Sequence, residues 1–203
     1  MESIMRLISL TAIALGGLMA VTLSTAAEAA WRFNPDQSRI TAVVTDQRPS
    51  GNVPHTYHVS QLDGTIDDDG NLTLPLSLSQ TDLLKDQGNL AGLLSGFSKS
   101  PMATLHTKVD PQWLSQLNVG ESITRNLPIR ARGNHFDRTE RVPLKLTRTA
   151  EHRYHVTTAE PISVDTRQLM QLDNAQTVLS LLGYNKLTDT IPINFEAQLV
   201  PAG

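Results

Sequence analysis

The run Leu72-Thr73-Leu74-Pro75-Leu76-Ser77-Leu78 places leucine at every even position. Successive side chains of a strand point to opposite faces, so the four leucines form one apolar stripe with small and polar residues behind it. Such a stretch demands a sheet with one buried face. Ile191-Pro192-Ile193-Asn194-Phe195-Glu196-Ala197-Gln198-Leu199 repeats the pattern on odd positions. Pro75 and Pro192 sit on the opposite face, and each removes a ladder donor, which predicts a sheet edge or bulge at both places.

Short alternating runs of the same kind cover residues 39–45, 55–67, 103–109, 123–131, 142–148 and 154–164, with Gly, Pro, Asn and Asp between them. This is the pattern of an antiparallel all-β domain. The strands number about eight, the count at which a closed barrel holds either its own side chains or one small ligand. The segment "IDDDGNL" carries Asp-Gly, a hairpin signal, between two of them. Its aspartates read as turn residues, because the spacing of a calcium loop and its closing bidentate glutamate are missing.

Two stretches break the alternation. In residues 81–97, Leu83, Leu84, Leu90, Leu93, Leu94 and Phe97 fall at mostly helical spacing, while Gly88, Gly92 and Gly96 restrict the segment to short turns. In residues 167–187, Leu169, Leu172, Val178, Leu179, Leu181 and Leu182 precede Gly183, a helix stop. A further helical turn is expected at 110–114, where Asp-Pro suits a cap and a first helical residue.

The chain opens with Arg6, an uncharged run from Leu7 to Ala27, and the small-x-small pattern Ala27-Glu28-Ala29. Residues 1–29 therefore read as a cleaved signal peptide, and periplasmic or secreted delivery follows from that alone. A retained membrane helix is the rival reading, since the run is long enough to span. Cleavage leaves residues 30–203, 174 of the 203, as one domain whose net charge is −2. No block of like charge asks for nucleic acid, and no second apolar run in the mature part is long enough to cross a bilayer. There is no cysteine, so disulfides and thiolate metal sites are excluded. Enzymatic signals are also missing: "GLLSG" is not Gly-x-Ser-x-Gly, and neither His-Glu-x-x-His nor a phosphate-binding Gly-rich loop occurs. A non-enzymatic binder without a cofactor is the expectation.

At its amino-terminal end the mature chain, "WRFNPDQSRI", resembles the opening of the YceI-like family through Trp31, Pro35, Ser38 and Ile40. The resemblance continues through "LDGTIDDDGNL", through Phe97, Pro101, Ala103 and Leu105 of "FSKSPMATLHTKV", through "LPIRARGNHFDRTERVPLKL" and through the last strand, "LTDTIPINFEAQL". It departs at "LLKDQGNLAGLL", at Arg130 to Asn134, and at "VDTRQLMQLDNAQTVLSLLGYNKL". The resemblance implies a mainly β fold, an antiparallel lipocalin-like barrel covered by short helical segments. It also implies a secreted bacterial protein that binds a polyisoprenoid or similar long amphipathic lipid.

In such a barrel the interior falls to Leu74, Leu76, Leu105, Leu127, Ile129, Leu144, Leu146, Ile193 and Phe195. Leu90, Leu94 and Phe97 on one flank, and Leu179, Leu181 and Leu182 on the other, cover the mouth or plug the end. These apolar residues either line a void for a lipid or pack on each other as a filled core. Burying roughly 400 Å² of lipid at about 25 cal/mol per Å² yields on the order of 10 kcal/mol. Association costs of roughly 4 to 15 kcal/mol oppose it, so binding requires a preformed tunnel. Three readings stand: a lipid carrier, a structural or stress-associated interaction module with a solid core, and a histidine-based metal or haem binder. An edge strand also offers a homodimer contact.

"HTYHV" at 55–59 and "HRYHV" at 152–156 raise the metal reading. Within each, the two histidines are three apart and so lie on opposite strand faces. A site would need histidines from different strands, with His106 or His135 as further donors. The register predicts Tyr57, Val59, Tyr154 and Val156 facing inward or at the rim, and His58 and His155 facing solvent.

Overall fold

A computed structural model describes residues 29–82, 101–134, 136–170, 179–180, 183–184 and 186–203. The strands are β1 (Ala29–Phe33), β2 (Arg39–Arg48), β3 (Gly51–Ser60), β4 (Thr65–Asp67), β5 (Asn71–Ser77), β6 (Pro101–Lys108), β7 (Ser122–Arg132), β8 (Asp137–Ala150), β9 (Arg153–Thr158), β10 (Ile162–Asp165) and β11 (Thr190–Pro201). All pairings given for them are antiparallel, and they close into a barrel of 8 staves. Strand β11 shows how eleven strands make eight staves. One of its edges pairs with β10 and then β9, the other with β2 and then β1. Thus β1 and β2 are two parts of one stave, as are β9 and β10, and β3 with β4 beside them.

The breaks have local causes. Between β1 and β2, Asn34 caps a 3-10 turn at Pro35–Gln37 by accepting from the Asp36 amide at 3.2 Å. Between β3 and β4, Gln61 adopts φ +57 and the chain folds Leu62 into the core. Gly64 then lies against the Phe33 ring, where a Cβ would approach to 2.7 Å. The single strands expected over 55–67 and 154–164 are therefore each two strands: the inward face passes from Tyr57 and Val59 to Leu62 and Ile66 across the first break, and stays on even positions from Tyr154 and Val156 to Ile162 and Val164 across the second. Strand β8 begins five residues earlier than the expected 142, at Asp137. Residues 137–141 are all exposed, and pairing to β7 extends the strand without apolar alternation. Strand β1 was also outside the expected set of runs.

Pro75 and Pro192 stand where ladders end. Pairing of β4 with β5 stops at Thr65↔Thr73, and pairing of β11 with β2 stops at Ile193↔Ala42. The hairpin turn is also present. The Gly70 amide donates to the Asp67 carbonyl at 2.9 Å, and the Asp67 carboxylate accepts from the Asn71 amide and side chain at 2.8 and 2.9 Å. Those bonds hold the Asp67 carboxyl below its ordinary value.

One end of the barrel is closed by the helix Pro111–Gln116. Asp110 accepts from the Gln112 amide at 2.9 Å, with Pro111 at the first helical position, as the sequence predicts. Leu114 and Leu117 of this segment enter the core, and the Tyr154 hydroxyl donates to the Leu114 carbonyl. Tyr154 in turn meets the edge of Trp31 at 5.2 Å between centroids. Because the cap satisfies an otherwise orphaned amide, Asp110→Ala should cost about 1 kcal/mol, read as a lower urea midpoint.

The segment expected to be a signal peptide, apart from Ala29, lies outside the described residues. So do Leu90, Leu94, Phe97 and the rest of 83–100, as well as His135, 171–178, Leu181 and Leu182.

Candidate functional site

The inner wall changes character from the closed end to the open one. Near the helix, Leu74 is 2% exposed, and Leu127 and Leu146 are buried with it in one cluster with Phe33, Ile66 and Leu199. Leu144 and Phe195 complete the packing, and Phe195 lies 5.8 Å from Phe33 between centroids. A cavity of about 50 Å³ lies among Phe33, Ile66, Leu127, Leu144, Leu146 and Phe195 and reaches Trp113. At roughly 10 to 15 Å³ of such space per water, it holds a few waters and not a lipid chain. Of the expected ligand residues, Leu74, Leu127 and Leu146 are buried in the core cluster, and Leu144 and Phe195 are half-buried against it.

Toward the open end the inward residues are Leu76 on β5, Leu105 on β6, Ile129 on β7 and Ile193 on β11. Their parity matches Leu74, Leu127 and Ala197; each is half-buried, whereas Ile191, on the same face of β11 beyond Ile193, is buried. Leu76, Leu105 and Ile129 rest on top of the packed cluster, and Ile193 stands above it. Small residues face them: Ala103 pairs with Leu76, Ala131 with Leu105, and Ala42 with Ile193. Leu76, Leu105 and Ile193 thus each have a short side chain beside them in the ladder.

The β2–β3 side of this upper wall is polar. The alternation that turns Ile40, Ala42 and Val44 inward continues to Asp46, which is 2% exposed and accepts from Arg48 Nε at 2.6 Å. Across the ladder, Val44 is opposite His55 and Ala42 is opposite Tyr57. Tyr184 leans onto both: its ring meets His55 edge-on at 5.1 Å, and its hydroxyl hydrogen-bonds that of Tyr57. Burial first, and then the Tyr57 bond, raise the Tyr184 pKa, so the phenol stays protonated at any physiological pH. The His55 Nε2 is buried with no hydrogen-bond partner among the described residues.

Tyr184 is held firmly. Its amide donates to the Leu179 carbonyl at 2.9 Å, and the Gly183 amide donates to Ser180 at 3.0 Å, with Gly183 at φ +79. This is the bonding of a glycine-terminated helix end, in agreement with the stop expected at Gly183. Lys186 and Thr188 then bond along β2, at Gln47 and Thr45. The open end therefore combines hydroxyl and imidazole groups with an apolar wall, a surface matched to a molecule with one polar end and an apolar length.

Sequence reasoning missed Asp46, Arg48, His55 and Tyr184 as inner-wall groups. A signal was present for the first two, since the parity of 39–45 carried forward turns 46 and 48 inward. The expected register of the histidine stretches holds: Tyr154 and Val156 are buried, Val59 packs on the core, and Tyr57 faces inward. The His58 and His155 side chains are 38% and 40% exposed, each against a carboxylate, Asp82 at 2.8 Å and Glu196 at 3.3 Å. A cleft of about 660 Å³ lies outside the barrel beside His155. Its lining is polar, and its Arg39 and Glu196 pair with each other at 3.0 Å, so it offers no apolar wall.

No family model and no curated protein matches the chain. Among solved structures, a polyisoprenoid binding domain from Saccharophagus degradans implicated in plant cell wall breakdown aligns with a TM-score of 0.70. The alignment covers 86% of this chain and 99% of that one at 18% identity. The two share a fold, the closed antiparallel barrel that the sequence resemblance implied.

Proposed function

We propose that the protein is a periplasmic or secreted, non-enzymatic carrier of one long amphipathic lipid of polyisoprenoid type. The apolar length of the ligand lies against Leu76, Leu105, Ile129 and Ile193. Its polar end meets His55, Tyr57 and Tyr184. The observation that carries this reading is the polar group of His55, Tyr57 and Tyr184 on the same barrel as the half-buried apolar side chains Leu76, Leu105, Ile129 and Ile193. The structural neighbour is itself a binding domain, which supports binding over catalysis. Export is supported by the leader-like run from Leu7 to Ala27 ahead of Ala27-Glu28-Ala29.

The test is organic extraction and mass spectrometry of protein purified from its native host without delipidation. One long-chain amphipathic lipid per chain is expected, and stripped protein should take it up again. Protein that carries none and takes up none refutes the reading and favours an interaction module with a solid core. A visible absorbance band or stoichiometric metal in the same preparation favours the histidine-based alternative. Amino-terminal sequencing of the exported protein should begin at Ala30.

A further inference from the structure

The outer wall formed by β6, β7 and β8 carries cations that lipid binding inside the barrel does not use. Facing away from the core are Lys108 on β6, Arg130 and Arg132 on β7, and Arg141 and Lys145 on β8, all exposed. The register sets them in adjacent rows. His106 lies opposite Arg130, Thr104 opposite Arg132, Pro128 opposite Arg141, and Thr124 opposite Lys145. Two carboxylates oppose them. Asp137 accepts from Arg130 Nε at 2.6 Å and lies 3.8 Å from Arg132, and Asp67 interacts with Lys108 from the base of the wall. Five cations against two anions leave this face at about +3, although the chain as a whole is −3.

Asp63, Asp68, Asp69, Asp110, Glu121 and Glu151 are exposed in the turns of the closed end, with Arg153 among them, and Glu140, Glu160 and Asp189 are exposed toward the open end. At the open end, beside the tip of the β7–β8 hairpin, Met102 is 42% exposed. The net positive charge of this one wall, on a chain that is negative overall, makes an uneven charge distribution around the barrel.

We infer that the β6–β8 wall docks on an anionic phospholipid surface. Each Lys or Arg brought within a Debye length of anionic headgroups adds attraction. Its cations are spread over three strands, which suits an extended charged surface better than one small anion. Its outward residues include no Phe, Tyr or Trp on which nucleic acid bases would stack. Loading of the barrel from that surface rests on the lipid-carrier reading; the docking itself does not.

Cosedimentation of the purified protein with vesicles tests it. Mixed phosphatidylglycerol and phosphatidylcholine vesicles should bind at least about tenfold more tightly than pure phosphatidylcholine, and high salt should abolish the difference. The triple variant Arg132→Glu, Arg141→Glu, Lys145→Glu should lose on the order of tenfold or more of that binding. Its circular dichroism, melting temperature and co-purified lipid should remain those of the unmodified protein. Equal binding to neutral and anionic vesicles, unchanged binding by a folded triple variant, or capture of an acidic protein with no vesicle binding each overturns the inference. Should the triple variant misfold, the single Arg132→Glu and Lys145→Glu variants take its place, with a severalfold loss expected of each. Vesicle binding by a protein that never carries lipid would sink the carrier reading and leave the docking surface standing.

Discussion

Replacing Gly70 with alanine is expected to destabilise the protein by at least about 3 kcal/mol, seen as a lower urea midpoint at unchanged slope. Two penalties combine at this position. Gly70 has φ +82, and an added Cβ would lie 1.9 Å from the Val109 carbonyl oxygen and 3.2 Å from Pro111 Cδ. The turn cannot retreat, because the Gly70 carbonyl accepts from the Val109 amide at 2.8 Å and the Asp67 carboxylate holds Asn71 on its other side. Val109 leads directly into the Asp110 cap, so relief by movement of Val109 would disturb the helix that closes the barrel. Gly120 supplies the control: its φ is +91, and nothing lies within 4 Å of an added Cβ. Gly120→Ala should therefore cost only the backbone strain, about 1 to 2 kcal/mol. Equal losses in the two variants would show that the close approach of the turn to Val109 does not anchor the closed end.

The same contrast between local chemistry and distant contact governs what could be read from the chain. Leu72 to Leu78 announces its strand because a two-residue period needs no partner to be visible, and Asp110-Pro111 announces a helix start because the cap bonds within three residues. The kink at Gln61 to Gly64 carries no such mark. It is produced by Phe33, some thirty residues earlier in the chain, packing where a Cβ on Gly64 would stand. Residues 137–141 form strand only because β7 pairs with them, so their charged sequence gives no warning. The polar end of the inner wall was hidden for a related reason. Asp46 and Arg48 lie beyond the expected run 39–45, and their place on the inner wall follows from the length of β2 and from the return of residues 186–188 along it. Burial along the leucine stripe was equally illegible. Parity says that Leu72, Leu74 and Leu76 share a face, but it does not say that Leu74 alone of the three is fully buried.

Leu74 and Leu76 should accordingly part company under mutation, although one residue separates them on the same stripe. Leu74→Ala removes a fully enclosed side chain and leaves a cavity that the closed end cannot collapse, at a cost of roughly 3 kcal/mol. Lipid carried per chain should not change, since the packed lower core does not touch the ligand. Leu76→Glu places a carboxylate where the half-buried wall meets solvent in the empty barrel, so its cost to stability should be smaller, about 1 to 2 kcal/mol. Against a lipid chain that carboxylate is stripped of water, and retention of lipid should fall at least about tenfold, the factor that 1.4 kcal/mol of desolvation produces. Ile193→Glu repeats the experiment higher on the wall, clear of the core cluster, and guards against misfolding at Leu76. Urea titration and extraction with mass spectrometry on all three variants separate the two quantities. If lipid content instead tracked stability, falling for Leu74→Ala and persisting in the folded glutamate variants, the ligand would not lie along the upper wall. The half-burial of Leu76 and Ile193 would then reflect nothing more than the shallow end of a solid core.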